Sequence, residues 1–166
     1  INGPSTDISM SIDGMVAVNS DGDHNMPSGE VFTAPVIDSV EGSILFDKPL
    51  IYQGNEIEGV KLKFVDGEVV DFSSDRNRNV LENLINTDEG SRRIGELGIG
   101  TNDQAQLSGN ILEDEKVWGT AHVAIGDNST MGGNIEVASH LDGIIEQPTV
   151  KLDGEGIMKE GQLTKE

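Results

Sequence analysis

The sequence lacks cysteine entirely and is poor in aromatic and basic residues. Without cysteine this chain forms no disulfide, thiolate nucleophile or zinc–thiolate site, a composition typical of proteins in a reducing cytoplasm. The aromatic residues are four Phe, one Trp and one Tyr. No apolar run approaches the roughly 20 residues that a membrane-spanning helix requires. These absences exclude several kinds of site, and they predict a cytoplasmic protein with no membrane span.

The charge is strongly unbalanced, with 11 Lys and Arg against 30 Asp and Glu and a formal net charge of −19. A surface this negative repels phosphate backbones and anionic lipids, so we expect neither nucleic acid nor a membrane surface as a partner. The acid excess with only seven Lys also predicts a halophilic protein. Molar salt screens the repulsion between like charges to a length of about 3 Å.

The length and apolar content are sufficient for one folded domain. The chain has 166 residues, and the 35% that are hydrophobic are spread along all of it, so a core is expected despite the charge. The sequence starts at Ile1, without Met, and runs directly into patterned sequence. We therefore expect residues 1–166 to form a single domain that is a piece of a longer protein.

Three Asp-Gly pairs flanked by alternating apolar residues occur, at residues 13–14, 66–67 and 153–154. Such pairs favour tight turns between antiparallel strands, so each predicts a hairpin. At the middle pair, a two-residue loop would place Phe64 opposite Val69 and put the two apolar rows on opposite faces. A three-residue loop over residues 65–67 instead pairs Leu62 with Val70 and keeps both rows on one face. We predict the three-residue loop.

One amphipathic helix is predicted over residues 75–86, with Ser73 or Ser74 as its N-cap. Its apolar stripe consists of Val80, Leu81, Leu84 and Ile85. Further short strands are predicted at residues 92–99, 120–125 and 135–141, with a helical turn within residues 111–117. The pattern predicts an α+β fold, a single domain dominated by antiparallel strands and hairpins with one main helix.

Two of the three histidines lie in apolar, strand-like segments, whereas His24 lies in a polar turn where solvation is expected. His140 and Asp142 are two residues apart, so in an extended strand both side chains point to the same side. Such a pair can chelate a metal, or the carboxylate can orient the imidazole. A surface pair or a hydrogen-bonded core pair is the alternative, and the motif by itself does not decide.

Two glutamates are distinguished by their surroundings. Glu96 lies within Arg-Ile-Gly-Glu-Leu-Gly-Ile-Gly, where an unpaired buried carboxylate is costly, so it must be exposed, paired or bound to a metal. Its glycine neighbours allow a ligand or another backbone to approach closely, and they are equally consistent with a β-bulge. Glu30 lies at the start of a predicted strand and, as an isolated acid, is expected at the surface.

Four segments, at residues 25–35, 93–102, 114–122 and 140–142, resemble in order the metal-site motifs of the M29 family of metalloaminopeptidases. These enzymes are also called thermophilic or leucyl aminopeptidases. Four motifs in one order are more specific than any single motif, and together they span nearly all of the chain. Because members of the family have two domains, with the metal ligands mainly in the C-terminal one, the resemblance implies that this chain is the C-terminal, metal-binding part of such a protein.

The resemblance implies that a pair of divalent metal ions is bound by Glu30, Glu96, His122, His140 and Asp142. Imidazole and carboxylate ligands suit zinc, cobalt or manganese, and two such ions can activate a water for attack on a peptide carbonyl. The implied activity is that of an aminopeptidase, which removes N-terminal residues from peptides, with Glu30 or Glu96 as the general base. A homodimer is also implied, although no segment identifies its interface.

One position departs from the family pattern. The family has a tyrosine seven residues after the first histidine of the site, and this sequence has Ser129 there. The C-terminal part also resembles a divergent branch of the superfamily that includes an iron-dependent dihydroxypyridine ring-cleaving dioxygenase. His122, His140 and Asp142 would then bind a single ferrous ion as a 2-His-1-carboxylate set. A noncatalytic domain is the third alternative, and metal content distinguishes the three.

Overall fold

A computed structural model describes residues 1–23 and 25–164, so the prediction for His24 lies outside the described residues. Within the described residues the chain forms fifteen strands: β1 (Asn2–Gly3), β2 (Thr6–Ser9), β3 (Val18–Ser20), β4 (Glu30–Thr33), β5 (Glu41–Leu45), β6 (Leu50–Tyr52), β7 (Asn55–Ile57), β8 (Lys61–Val65), β9 (Glu68–Ser73), β10 (Ile94–Gly100), β11 (Thr120–Gly126), β12 (His140–Glu146), β13 (Val150–Leu152), β14 (Glu155–Lys159) and β15 (Gln162–Leu163). The same part of the chain also contains two short α-helices and two 3₁₀ turns: α1 (Arg78–Ile85), α2 (Ile111–Asp114), Gly90–Arg92 and Ser129–Met131. None of these described helices has the length and apolar character needed to cross a membrane.

Two five-stranded antiparallel sheets make up most of the fold. The first sheet has the strand order β1-β2-β5-β8-β9, and the second has the order β12-β11-β10-β4-β3. Strands β13, β14 and β15 form a smaller sheet, and β6 pairs with β7. With α1 as the main helix, the predicted α+β fold dominated by antiparallel strands is confirmed.

The hydrophobic core joins the first sheet, α1 and one face of the second sheet. From the second sheet it includes Val123 and Ile125 of β11 and Ile145 of β12. Side chains alternate between the two faces of a strand, so the even-numbered residues of β11 and β12 point to the opposite face. One face of the second sheet therefore packs on the core, and the other face is available for a functional site.

The main helix is shorter at its N-terminus than predicted. The predicted stripe residues Leu81, Leu84 and Ile85 are buried in the core, but the helix begins after Asn77, which has a left-handed φ of 56°, and neither Ser73 nor Ser74 is its N-cap. The preceding residues turn because the backbone N–H groups of residues 75 and 76 both donate to the carbonyl oxygen of Glu58. This tertiary contact prevents an earlier helical start.

The prediction of a three-residue loop at the middle Asp-Gly pair is wrong. Phe64 lies opposite Val69, and Asp66 and Gly67 form a two-residue turn with φ values of 49° and 79°. These positive values are typical of the tight hairpin turn that Asp-Gly favours. Because Phe64 and Val69 lie opposite each other, both are buried on one face. A β-bulge in the register between Lys63 and Phe64 then pairs Leu62 with Phe72, and Val70, the predicted partner of Leu62, is 55% exposed.

The other local predictions have mixed outcomes. The hairpin at residues 153–154 is confirmed as β13 and β14, and β10, β11 and α2 lie within two or three residues of their predicted bounds. The predicted hairpin at residues 13–14 is wrong, because β2 pairs with β5 and β3 pairs with β4. The strand predicted at residues 135–141 begins only at His140, since the backbone of Ile135 is hydrogen-bonded to Asn128 in a loop.

Candidate metal centre

The strand register brings the five predicted ligands to one face of the second sheet. Glu30 of β4 lies opposite Gly100 of β10, and Gly98 of β10 lies opposite His122 of β11.

Ala124 of β11 lies between Glu96 on one side and Asp142 on the other. His140 is two residues before Asp142 on β12, so it shares this face. Four adjacent strands thus carry the five side chains.

Gly98 makes room for the imidazole of His122. A Cβ built at Gly98 would lie 2.0 Å from His122 Nε2, so the ring crosses directly over this glycine. The ring nitrogen is thereby 3.2 Å from Glu30 Oε2 and 3.4 Å from Glu96 Oε1. The sequence left close approach and a β-bulge as alternatives for these glycines, and the structure has both, with the bulge between Ile94 and Glu96.

The imidazole of His140 contacts the other oxygen of the Glu96 carboxylate. His140 Nε2 lies 3.1 Å from Glu96 Oε2 and 3.6 Å from Asp142 Oδ1. Its Nδ1 lies 2.7 Å from the backbone carbonyl oxygen of Asp127. A hydrogen bond donated by Nδ1 to this carbonyl fixes the tautomer in which Nε2 is free to bind a metal. Glu96 therefore contacts both imidazoles.

Two groups of side chains offer ligand atoms close enough to share an ion. Among the described residues, one group is Glu30, Glu115 and His122, and the other is Glu96, His140 and Asp142; the ligand atoms in each lie within 4.8 Å of one another. The expectation that Glu30 lies at the surface is wrong, because Glu30 is buried. Its Oε2 and Asp142 Oδ1 accept no hydrogen bond, and they face His122 Nε2 at 3.2 Å and His140 Nε2 at 3.6 Å. Buried carboxylate oxygens are costly without a partner, so these atoms fit the coordination of cations.

Glu115 and Lys116, which follow α2, were not among the predicted site residues. Both are buried, Lys116 completely. The Lys116 ammonium donates to Glu30 Oε1 at 2.6 Å and also to Glu115 Oε1. Both residues lie inside the 114–122 segment that carries the family resemblance, and this was the one feature of the sequence that placed them near the site. Lysine is rarely buried, so the sequence alone did not indicate this position.

The pKa shifts show that the site stabilises positive charge. Burial raises the pKa of Glu96, but hydrogen bonds from His122 and His140 lower it to about 2. Burial lowers the pKa of His122, but Glu30 and Glu96 raise it to about 10. Burial also lowers the pKa of His140, which Asp142 and Glu96 raise to about 11. Without a metal, these pKa values favour protonated imidazoles, and bound metal ions would replace this positive charge.

The site opens into a cavity of about 210 Å³ whose lining includes Phe32, Leu112 and Met131 beside the candidate ligands. Ser129, at the position of the family tyrosine, does not line this cavity. Its hydroxyl donates to the carboxylate of Asp127 at 3.0 Å. Met131, two residues after Ser129, lines the cavity instead. The family pattern has a tyrosine side chain in this segment.

The family model described as "Thermophilic metalloprotease (M29)" matches residues 1–141. The sequence is 35% identical to "Aminopeptidase PepS" of Streptococcus thermophilus over 83% of this chain and 38% of the relative. It is 38% identical to "Aminopeptidase AmpS" of Bacillus subtilis over 78% of this chain and 36% of the relative. The chain thus spans little more than a third of the length of these relatives.

Two solved structures have similar folds. "Wild-type AmpT from Thermus thermophilus" superimposes with a TM-score of 0.77 at 27% identity, covering 99% of this chain and 49% of that chain. A 2,5-dihydroxypyridine dioxygenase from Pseudomonas putida KT2440 superimposes with a TM-score of 0.67 at 20% identity, covering 81% of this chain and 43% of that chain. The second similarity concerns the fold alone.

Proposed function

The chain belongs to the M29 family of thermophilic metalloproteases, and from this premise we propose that it is the metal-binding domain of an aminopeptidase that removes N-terminal residues from peptides. The observation that carries the proposal is the meeting of Glu30, Glu96, His122, His140 and Asp142 on one sheet face, with unpartnered carboxylate oxygens directed into it. The names of the relatives, which are aminopeptidases, support the reaction class.

We assign the ligands by their contacts. Glu30 and His122 would hold one ion, His140 and Asp142 would hold the other, and Glu96, which contacts both imidazoles, would be shared between them. Zinc, cobalt and manganese suit this imidazole and carboxylate set. Two such ions, when bound, would supply activation of a water and polarisation of the scissile carbonyl. Glu30, Glu96 and His122 are buried, which strengthens the charge interactions among them.

The general base of the proposal is one of the two buried glutamates. Glu96 contacts both imidazoles, which suits a bridging ligand. Glu30 is held by Lys116 through Oε1 and has no hydrogen-bond partner at Oε2. Its Oε2 would therefore either bind the ion beside His122 or accept a proton from a water in the cavity, and these two roles are alternatives. Glu30→Gln that retains both ions but loses activity would support Glu30 as the base, and loss of an ion would support a ligand role alone.

A single ferrous ion in a ring-cleaving dioxygenase is the second candidate function. The observation that favours it is Ser129, which stands where the family pattern has tyrosine. His122, His140 and Asp142 would supply the 2-His-1-carboxylate set. Two further buried glutamates favour the hydrolase, because one iron with three protein ligands has no need of them.

Metal content per chain tests the proposal. Protein purified without chelator in high salt is loaded with zinc, cobalt, manganese or ferrous iron and measured by mass spectrometry. Two ions per chain, at least one of which is lost in His140→Ala, support the dinuclear hydrolase and justify assays of aminoacyl substrates with the longer protein. One tightly held iron supports the dioxygenase, and no retained ion supports a noncatalytic domain.

We further propose that this domain is the C-terminal part of a two-domain protein, because the relatives are two to three times its length. Its substrate would then bind in a cleft completed by the other domain. The cytoplasmic location, the homodimer and the adaptation to high salt stay predictions. Thermal unfolding in low and in molar salt tests the last of these.

A further inference from the structure

Lys116 is a completely buried lysine beside the metal site. Its ammonium lies between two carboxylates, donating to Glu30 Oε1 at 2.6 Å and to Glu115 Oε1. Burying an ammonium costs free energy unless charged partners compensate for the lost water. The contacts therefore satisfy the lysine, and they also restrain the two carboxylates.

The backbone of Lys116 is tied to the strand that carries Glu30. Asn102 donates its backbone N–H to the carbonyl oxygen of Lys116 at 2.9 Å, and its side-chain amide donates to the carbonyl oxygen of Ser28 at 2.7 Å. Gly29 packs so closely on Asn102 that an added Cβ would lie 2.7 Å from the asparagine Cβ. These contacts fix the distance between the backbone of Lys116 and the start of β4.

The two oxygens of Glu30 have different surroundings as a result. Oε1 is occupied by Lys116, whereas Oε2 is buried without a hydrogen bond and lies 3.2 Å from His122 Nε2. We infer that Lys116 is a positioning residue: it holds Oε1 of Glu30 so that Oε2 alone faces His122 as a metal ligand. This inference rests on the proposed metal-binding function.

Removal of the lysine would change metal affinity in opposite directions if Lys116 acted through its charge or through positioning. An ammonium near a divalent cation repels it, so a neutral side chain at position 116 would tighten metal binding if Lys116 acted only through its charge. Loss of positioning would instead free the carboxylate to rotate and would weaken binding. Hydrogen-bond partners of metal ligands typically contribute 10–100-fold to metal affinity. The two roles therefore differ in the sign of the change.

The test uses Lys116→Met, which keeps an unbranched side chain, shorter by the terminal nitrogen, and removes its charge. To isolate the Glu30 half of the site, the variant is made in a His140→Ala background, and the Co²⁺ dissociation constant and absorption spectrum are compared with those of His140→Ala alone. We expect Co²⁺ binding 10–100-fold weaker, with an altered ligand-field spectrum. The matched control places Lys116→Met in a His122→Ala background, where the other half of the site should keep its affinity within about threefold.

Removal of the lysine alone leaves two buried carboxylates without their cation, so circular dichroism and thermal unfolding accompany each titration. If Lys116→Met does not fold, the comparison is made between Glu115→Gln and Glu115→Gln with Lys116→Met, which removes one of the uncompensated charges. Unchanged or tighter Co²⁺ binding in the Glu30 half, or equal weakening in both halves, overturns the positioning role. Absence of Co²⁺ binding by the unmodified chain overturns the proposed function itself.

Discussion

Gly98→Ala should disable the metal site without replacing any ligand. The substitution adds one methyl group on β10, opposite His122 of β11. The new Cβ would lie 2.0 Å from Nε2 and 2.1 Å from Cε1 of the imidazole, whereas ordinary van der Waals contact begins at 3.4 Å. The ring must therefore move by at least about 1.4 Å (3.4 − 2.0) or the strands must separate.

That displacement is large compared with the tolerance of metal coordination, which is about 0.2 Å in ligand distance. His122 Nε2 would leave its position 3.2 Å from Glu30 Oε2, so the Glu30 half should lose its ion or bind it more than tenfold more weakly. Overpacking of this kind typically destabilises a protein by about 1–3 kcal/mol. The variant should therefore fold with a lowered melting temperature.

The assay is metal stoichiometry by mass spectrometry, together with a Co²⁺ titration and a thermal unfolding curve. Gly156→Ala on β14 is the matched control, because an added Cβ there meets no atom within 4 Å. It should bind metal as the unmodified chain does. Two ions bound by Gly98→Ala with unchanged affinity would refute the conclusion that the imidazole crosses over this glycine to reach its carboxylates.

Three further predictions concern the ligands and their protons. His140→Ala and Asp142→Ala should each remove at least one ion per chain while far-ultraviolet circular dichroism stays unchanged, and full metal stoichiometry in both variants would contradict the ligand assignment. Glu96→Gln keeps the shape of the side chain and removes its charge, so binding of both ions should weaken in a calorimetric titration. Weakening of one ion only would exclude the bridging role. Since the pKa of His122 is raised to about 10 and that of His140 to about 11, metal binding at pH 7 should release about two protons per chain, measured by calorimetry in buffers of different ionisation enthalpy. The same raised pKa values stabilise the metal-free fold fully below about pH 6.5, so its resistance to urea should fall as the pH rises through 10 to 11. No proton release, or a stability that does not change over this range, would show that the imidazoles are neutral.

Several residues of the candidate site could be predicted from the sequence because the patterns that indicate them are local. His140 and Asp142 share a face by strand alternation, and Glu96 is marked as a carboxylate in an apolar, glycine-rich strand. The order of four motifs predicted the family, which the match over residues 1–141 confirms. Asp-Gly pairs predicted turns for the same reason, since they encode a backbone conformation within two residues.

The pairing between distant strands could not be predicted from local patterns. At residues 66–67 the turn has two residues, and a bulge pairs Leu62 with Phe72 in place of Val70, which depends on how the sheets pack. The turn at residues 13–14 joins strands that pair with other partners, because strand pairing is set by the competition among all strands for the core. The alternation of apolar residues therefore predicted one register incorrectly, and turn chemistry predicted one hairpin incorrectly.

The sequence by itself determined the antiparallel fold class through alternation and turn residues, and the family through four ordered motifs, because these are local features of the chain. The five candidate ligands are what the resemblance to that family implies. The tertiary structure alone placed Glu115 and the buried Lys116 beside Glu30, and Gly98 beneath the ring of His122. These neighbours are separated by up to 86 positions in the chain. Their contacts depend on strand order and register, which packing of the whole domain decides.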